Sequence, residues 1–143
     1  MPVPVFNPLQ NQAITSAMVN LTVVNGNVTT LETTTSTSYT DLATAGPANT
    51  VSSGVPQDHL LLVWASEWNS IAGANVFASP AVGGAGAADT DGAFSDGGSA
   101  AIVSVLRQTH AAAQATGAVH TMKYKTGANT GNFQDRRITT LAV

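Results

Sequence analysis

The sequence contains no cysteine and very few charged residues. Without cysteine, the chain can form no disulfide, no thiolate nucleophile and no cysteine-based zinc site. Only 9% of its 143 residues are charged, whereas soluble domains usually carry about 25%. Five basic and eight acidic side chains give a net charge of −3, which provides no positive surface for nucleic acid or for an anionic membrane. We therefore expect neither of these partners.

Long hydrophobic segments are also missing. The longest apolar run covers residues 60–65, LLLVWA, and is far shorter than the roughly 18 residues that a membrane-spanning helix needs. The first ten residues have neither the cationic nor the apolar stretch of a secretory signal, so we expect none there. Hydrophobic residues nevertheless make up 43% of the chain, which is enough to form the core of one domain.

The first 31 residues carry no charged side chain. Three of the six prolines lie within the first eight residues and predict an extended N-terminal arm. Apolar residues then recur at helical spacing, which predicts a short helix over 15–31, although Gly26 and several β-branched residues oppose it. We expect residues 1–31 to serve in anchoring and oligomerisation. The predicted partner contacts are Val3, Val5, Phe6, Leu9, Ile14, Met18, Leu21 and Val28.

Residues 32–143 show short β-type segments separated by Gly, Ala, Asn and Asp turns. The pattern predicts an all-β domain, an antiparallel β-sandwich that is jelly-roll-like. Residues 80–98 predict a long surface loop, and residues 108–117 a helical turn or another loop. The predicted strands are 36–42, 48–53, 59–68, 74–82, 99–110, 118–126 and 132–143.

The segment 59–68 contains both tryptophans and one glutamate. Alternation places Trp64 and Trp68 on one face of the strand and Glu67 on the other. Tryptophan faces can stack on sugars, but the opposite direction of Glu67 disfavours a glycosidase-type site. We expect the two tryptophans to lie in the core and Glu67 to point outward.

No motif in the sequence predicts catalysis. Asp89, Asp91 and Asp96 suggest a calcium loop, but the EF-hand register fails and a solvated acidic loop is favoured. The histidines His59, His110 and His120 lack metal-ligand spacing, and no GxSxG sequence selects a nucleophile. We therefore predict a protein that is not an enzyme, with no catalytic residue, no cofactor and no metal.

Four of the five basic residues lie near the C-terminus, at Lys123, Lys125, Arg136 and Arg137. In a chain with so few charges, Asp135 is the expected salt partner of this group. Pairing between subunits is the alternative. An exposed pair of this kind contributes only a few tenths of a kcal/mol, roughly, to stability.

Three segments together resemble a β-sandwich domain found in virion proteins of tailed bacteriophages. They are TTTSTSYTDLATAGPANTVSSG, HLLLVWASEW and AVHTMKYKTGANTGNFQDRRITTLAV. The matching motifs are structural and include no catalytic residue; they lie at residues 39–42, 46–47, 122–124 and 133–137.

The resemblance implies a non-enzymatic and trimeric virion component. One compact domain behind an apolar arm favours a capsid decoration (cement) protein on the capsid surface, whose partner is the major capsid protein or another virion protein. The alternative is a minor tail or tail-fibre protein, including one with a carbohydrate-binding receptor role.

Overall fold

The computed structural model describes residues 22–52, 55–95 and 103–142, which form nine strands in two antiparallel sheets. The strands are β1 (Thr22–Val28), β2 (Glu32–Thr34), β3 (Ala48–Thr50), β4 (Gln57–Asn69), β5 (Val76–Ala81), β6 (Ala93–Ser95), β7 (Val103–Gln114), β8 (Val119–Thr126) and β9 (Gly131–Ala142). Sheet A has the order β1-β9-β4-β7, with β2 also paired to β9, and sheet B has the order β3-β8-β5-β6. The two sheets pack face to face, which confirms the predicted all-β sandwich.

The core lies between the sheets and is centred on β4, which pairs with β7 on one side and β9 on the other. Alternate residues of β4 point to sheet B and are fully buried. Each buried aliphatic or aromatic side chain contributes about 1.5–3 kcal/mol. The core cluster consists of Leu42, Leu61, Val63, Ala65, Val76, Ala78, Ala93, Ala111, Met122, Tyr124, Phe133 and Ile138.

The predicted helix over 15–31 is wrong within the described part of the segment, because residues Thr22–Val28 form β1 and pair with β9. The β-branched residues of this segment favour a strand over a helix. Gly26 has a packing role, since a Cβ atom there would lie 2.6 Å from the carbonyl oxygen of Ala48. Residues 15–21 lie outside the described residues.

The predicted strand at 36–42 is also wrong, because only Thr40 forms a bridge there, with Tyr124. In this segment, side-chain hydroxyl groups form hydrogen bonds with backbone amides that would otherwise pair with a neighbouring strand. The Ser36 amide donates to Thr34 Oγ1 at 3.1 Å, and the Ser38 amide donates to Ser36 Oγ at 3.2 Å. Such local turns replace strand pairing in Ser/Thr-rich segments.

Two segments predicted as loops contain strands. Within 80–98, β5 extends to Ala81, a 3₁₀ turn forms at Asp89–Asp91, and β6 pairs with β5. Within 108–117, β7 continues to Gln114 across a register shift against β4. Small residues give little local strand signal, so pairing with a neighbouring strand decides these segments.

A β-bulge in β9 changes which residues face the core. Trp64 of β4 pairs with Arg137, but Ser66 pairs with Gln134, so β9 has one extra residue between these positions. Asp135 adopts a positive φ of 48° at the bulge, a conformation that Asp tolerates better than most residues. As a result, Arg136 is buried and Arg137 is exposed. In the part of the chain covered by the structure, no helix is long and apolar enough to cross a membrane.

Candidate binding surfaces

The outer face of sheet A carries an apolar surface, which we call the sheet A patch. Along β4, Leu60, Leu62 and Trp64 are half-buried on this face. Leu60 pairs with Leu141 of β9, which in turn pairs with Val23 of β1. Val23 is 50% exposed. The patch consists of Val23, Leu60, Leu62, Trp64, Trp68 and Leu141.

The structure corrects the predicted orientation of β4. Trp64 and Trp68 lie on the outer face, where the Arg137 guanidinium carbon is 5.1 Å from the centre of the Trp64 ring. Glu67 points inward and is fully buried. The alternation was predicted correctly, but both faces of residues 60–65 are apolar. The sequence pattern therefore could not tell the inner face from the outer one.

The outer face of sheet B forms an open groove of about 1230 Å³, which we call the sheet B groove. Its floor consists of the outward residues of β8, from Val119 to Lys125. Segments 37–41, 83–87 and 114–118 form its walls. Hydroxyl, amide, Ala and Gly residues dominate these walls. The groove therefore presents a mixture of small polar and apolar groups with few charges.

Two ion pairs border the sheet B groove. Lys123 Nζ lies 2.7 Å from Asp41 Oδ2, and Lys125 Nζ lies 2.7 Å from Asp89 Oδ1. The Lys125 ammonium also lies 4.9 Å from the centre of the Tyr39 ring. The prediction that Asp135 pairs with these lysines is wrong, because the chain folds more distant carboxylates over the outer face of β8.

A third ion pair is buried. Arg136 is 0% exposed, and its Nη2 lies 3.0 Å from Oε2 of Glu32. Arg136 also donates to the carbonyl oxygen of Gly46, which accepts the Tyr124 hydroxyl proton at 2.8 Å. Burial opposes ionisation of Glu32, but hydrogen bonds from Thr44 and the charge of Arg136 outweigh it and lower its pKa. Asp135 is therefore not the partner of Arg136 either.

Glu67 differs from these pairs because neither carboxyl oxygen has a hydrogen-bond partner within the described residues. Its side chain is fully buried between the sheets. Burial raises the pKa of Glu67 well above its ordinary value. Burial therefore favours the protonated, neutral form of the Glu67 carboxyl in the folded protein.

His59 and His120 meet in the interior, although they are 61 positions apart. The Gly83 amide donates to His120 Nδ1 at 3.3 Å, so His120 carries its proton on Nε2 and donates it to His59 Nδ1 at 2.7 Å. His59 Nε2 then bears a buried proton without an acceptor among the described groups. Burial lowers the pKa of His59 and, together with the neighbouring His59 ring, lowers that of His120 to about 4. Both rings are neutral near pH 7.

Within the described residues, no group of three or more His, Asp or Glu side chains could hold a metal ion. His110 lies apart from the other two histidines and contacts Asp58 at 3.1 Å. Asp89 and Asp91 belong to the 3₁₀ turn, and Asp96 lies outside the described residues.

The predicted partner contacts fall almost entirely outside the described residues: this holds for Val3, Val5, Phe6, Leu9, Ile14, Met18 and Leu21. Val28 is described; it lies at the end of β1, is half-buried and pairs with Arg136. The sequence analysis missed the sheet B groove, although one signal was present. Both lysines of the chain, Lys123 and Lys125, are two residues apart, so a strand must present them on the same face.

The chain matches no protein-family model and no curated protein. The class of protein is accordingly defined by the fold and its surfaces: an all-β sandwich with an apolar patch on the outer face of sheet A and an open groove of mixed polarity on sheet B.

Proposed function

We propose that this chain is a structural virion protein of a tailed bacteriophage, and that it is a capsid decoration (cement) protein. In this proposal it binds the outer shell as a trimer and acts by binding alone, without a chemical step. The sheet A patch is the observation that carries the proposal, because it is an apolar binding surface on a chain with little surface charge.

The position of β1 links this patch to the N-terminal arm. β1 begins at Thr22, and the next residue, Val23, already belongs to the patch. The first described residue, Thr22, therefore lies next to the sheet A patch. The arm and the patch can then bind one continuous apolar surface of the major capsid protein.

The energetics favour attachment through several copies. Burying Val3, Val5, Phe6 and Leu9 would contribute about 1.5–3 kcal/mol for each side chain, before the cost of ordering the arm. Ile14, Met18, Leu21 and Val28 would form contacts around the threefold axis. Three linked arms raise the effective concentration of each arm once the first has bound.

Deletion of residues 2–14 tests the role of the arm. We expect the shortened chain to lose binding to shells from which the native protein has been removed, while its thermal unfolding midpoint stays unchanged. Quantitative gel analysis of purified particles measures the bound copies. Normal incorporation of the shortened chain would contradict the proposal.

Leu62→Asn tests the patch, and Val119→Asn is its matched control on the opposite sheet. Val119 is 46% exposed, so both variants replace an aliphatic side chain on an outer face. We expect only Leu62→Asn to weaken shell binding. Copy number separates the alternatives: decoration requires hundreds of copies on each particle, whereas a tail or fibre protein requires a few copies at one vertex.

A further inference from the structure

We propose that the sheet B groove binds a neutral oligosaccharide in an extended conformation along β8. The proposal uses the face opposite the sheet A patch and does not depend on attachment to a shell. Its basis is the combination of groove length, compensated charge, small polar walls and a neighbouring aromatic surface.

The floor of the groove suits an extended ligand of several rings. The outward residues Val119, Thr121, Lys123 and Lys125 all line it. At about 3.3 Å for each strand residue, they span about 20 Å. A volume of about 1230 Å³ is also large enough for more than a single sugar ring.

Charge compensation in the groove favours a neutral ligand over an ionic one. Lys123 and Lys125 are each neutralised by an aspartate at 2.7 Å. These pairs hold charged donors and acceptors in fixed positions, where they can form strong hydrogen bonds to hydroxyl groups. The Asp41 side chain that Lys123 contacts is 42% exposed, so its carboxylate can also accept hydrogen bonds from a ligand. Sugar hydroxyls both donate and accept and are suited to such a surface.

The walls disfavour a peptide ligand. Most of their residues are Ala, Gly, Ser and Thr, whose small side chains give an anchoring peptide side chain little to pack against. The floor strand β8 is paired on both sides, with β5 on one side and with β3 and Thr40 on the other. A peptide therefore has no free strand edge to which it could add through its backbone.

An aromatic surface lies beyond the Lys125 end of the groove. The Lys125 ammonium is 4.6 Å from the centre of the Phe77 ring, and Phe77 stacks on Phe94 with ring centres 5.9 Å apart. Phe94 is 54% exposed. The apolar C–H face of a sugar ring can pack on this exposed ring while its hydroxyl groups bond to the polar groups of the groove.

Direct titration tests the proposal with the full chain and defined probes. We expect saturable binding of at least one neutral tetrasaccharide from a set derived from dextran, mannan and chitin, measured by calorimetry. A sialylated tetrasaccharide and an extended alanine- and threonine-containing octapeptide serve as comparison ligands. Failure of every neutral saccharide to bind at millimolar concentration, or preferential binding of the octapeptide, would overturn the assignment.

Variants locate the site. Asp41→Asn removes one exposed carboxylate, and Ala85→Trp places a bulky ring on an exposed wall residue. We expect each change to weaken saccharide binding at least tenfold, with no more loss of stability than removal of an exposed ion pair produces. Asp135→Asn removes a charge on the other sheet, at the bulge of β9, and keeps a residue type that tolerates the positive φ there. Trp64→Ala alters the sheet A patch. If Trp64→Ala abolished saccharide binding and Ala85→Trp retained it, the saccharide would bind sheet A and not the sheet B groove, and the proposal would be wrong.

Discussion

The interior and the outer face of sheet B hold charge in different ways. In the interior, the fully buried Arg136 pairs with Glu32, whereas burial favours the neutral forms of Glu67, His59 and His120. On the outer face, Lys123 and Lys125 form ion pairs whose aspartates are about half exposed. Water screens the outer pairs much more than the inner one, in which Arg136 is 0% and Glu32 only 10% exposed. Ion pairs between the same types of side chain should therefore contribute very different amounts to the free energy of unfolding in the two regions.

The largest effect is expected from Arg136→Met. This change leaves the Glu32 carboxylate without its cation and removes the donors to two backbone carbonyls. Breaking a buried pair in this way costs about 3–5 kcal/mol in the free energy of unfolding. Urea titration measures it. The double variant Glu32→Gln/Arg136→Met should recover part of the loss, because it leaves no unpaired charge. If the free energy of unfolding of Arg136→Met alone lies within about 1 kcal/mol of the wild-type value, this view of the interior is refuted.

The next effect is acid destabilisation through the histidine pair. The folded-state pKa of His120 is about 4, below its ordinary value of 6.5. Its contribution to stability is therefore complete above pH 6.5 and is lost as the pH falls toward 4, at a cost of about 2–4 kcal/mol. The pH dependence of urea unfolding measures this loss. The double variant His59→Met/His120→Met should lack it, and an unchanged acid slope in that variant would argue against the assignment.

Glu67 should act in the opposite direction. Its folded-state pKa is raised above the ordinary 4.5, so its contribution is complete below pH 4.5 and is lost as the pH rises through the folded-state pKa. We expect Glu67→Gln to match the wild type near pH 4 and to be more stable at pH 8, because only the wild-type side chain loses stability as rising pH favours its ionisation in the unfolded chain. The same urea titrations check it. Equal stability of the two proteins at pH 8 would mean that Glu67 finds a partner.

The smallest effect is expected on the outer face of sheet B. Lys123→Gln removes the pair with Asp41, whose side chain is 42% exposed. Exposed pairs contribute about 0.2–1 kcal/mol, and added salt should reduce the difference from the wild type. Urea unfolding at low and high ionic strength measures both quantities. A loss above about 2 kcal/mol would remove the distinction between the two regions.

The sequence predicted the sandwich and most of its long strands, because alternation in β4 and β8 is a local property. It did not predict β1, where pairing with β9 outweighs an apolar spacing that also suits a helix. It could not assign Glu67 to the interior, because the inner face is defined only when sheet B packs against it. The contact between His59 and His120 and the walls of the sheet B groove depend on which strands lie next to each other. The residue types along a single strand do not encode that order.

The bulge at Asp135 divides β9 into two halves of opposite parity. Before it, the odd-numbered residues Gly131 and Phe133 are buried; after it, the even-numbered residues Arg136, Ile138, Thr140 and Ala142 are buried. Deleting Asp135 would remove only the offset and leave every other side chain on its present face. Deleting a residue elsewhere in the strand would shift the alternation. Every residue between the deletion and the bulge, or between the deletion and the end of the strand, would then point to the opposite face. Length variation within β9 should therefore be confined to this single position.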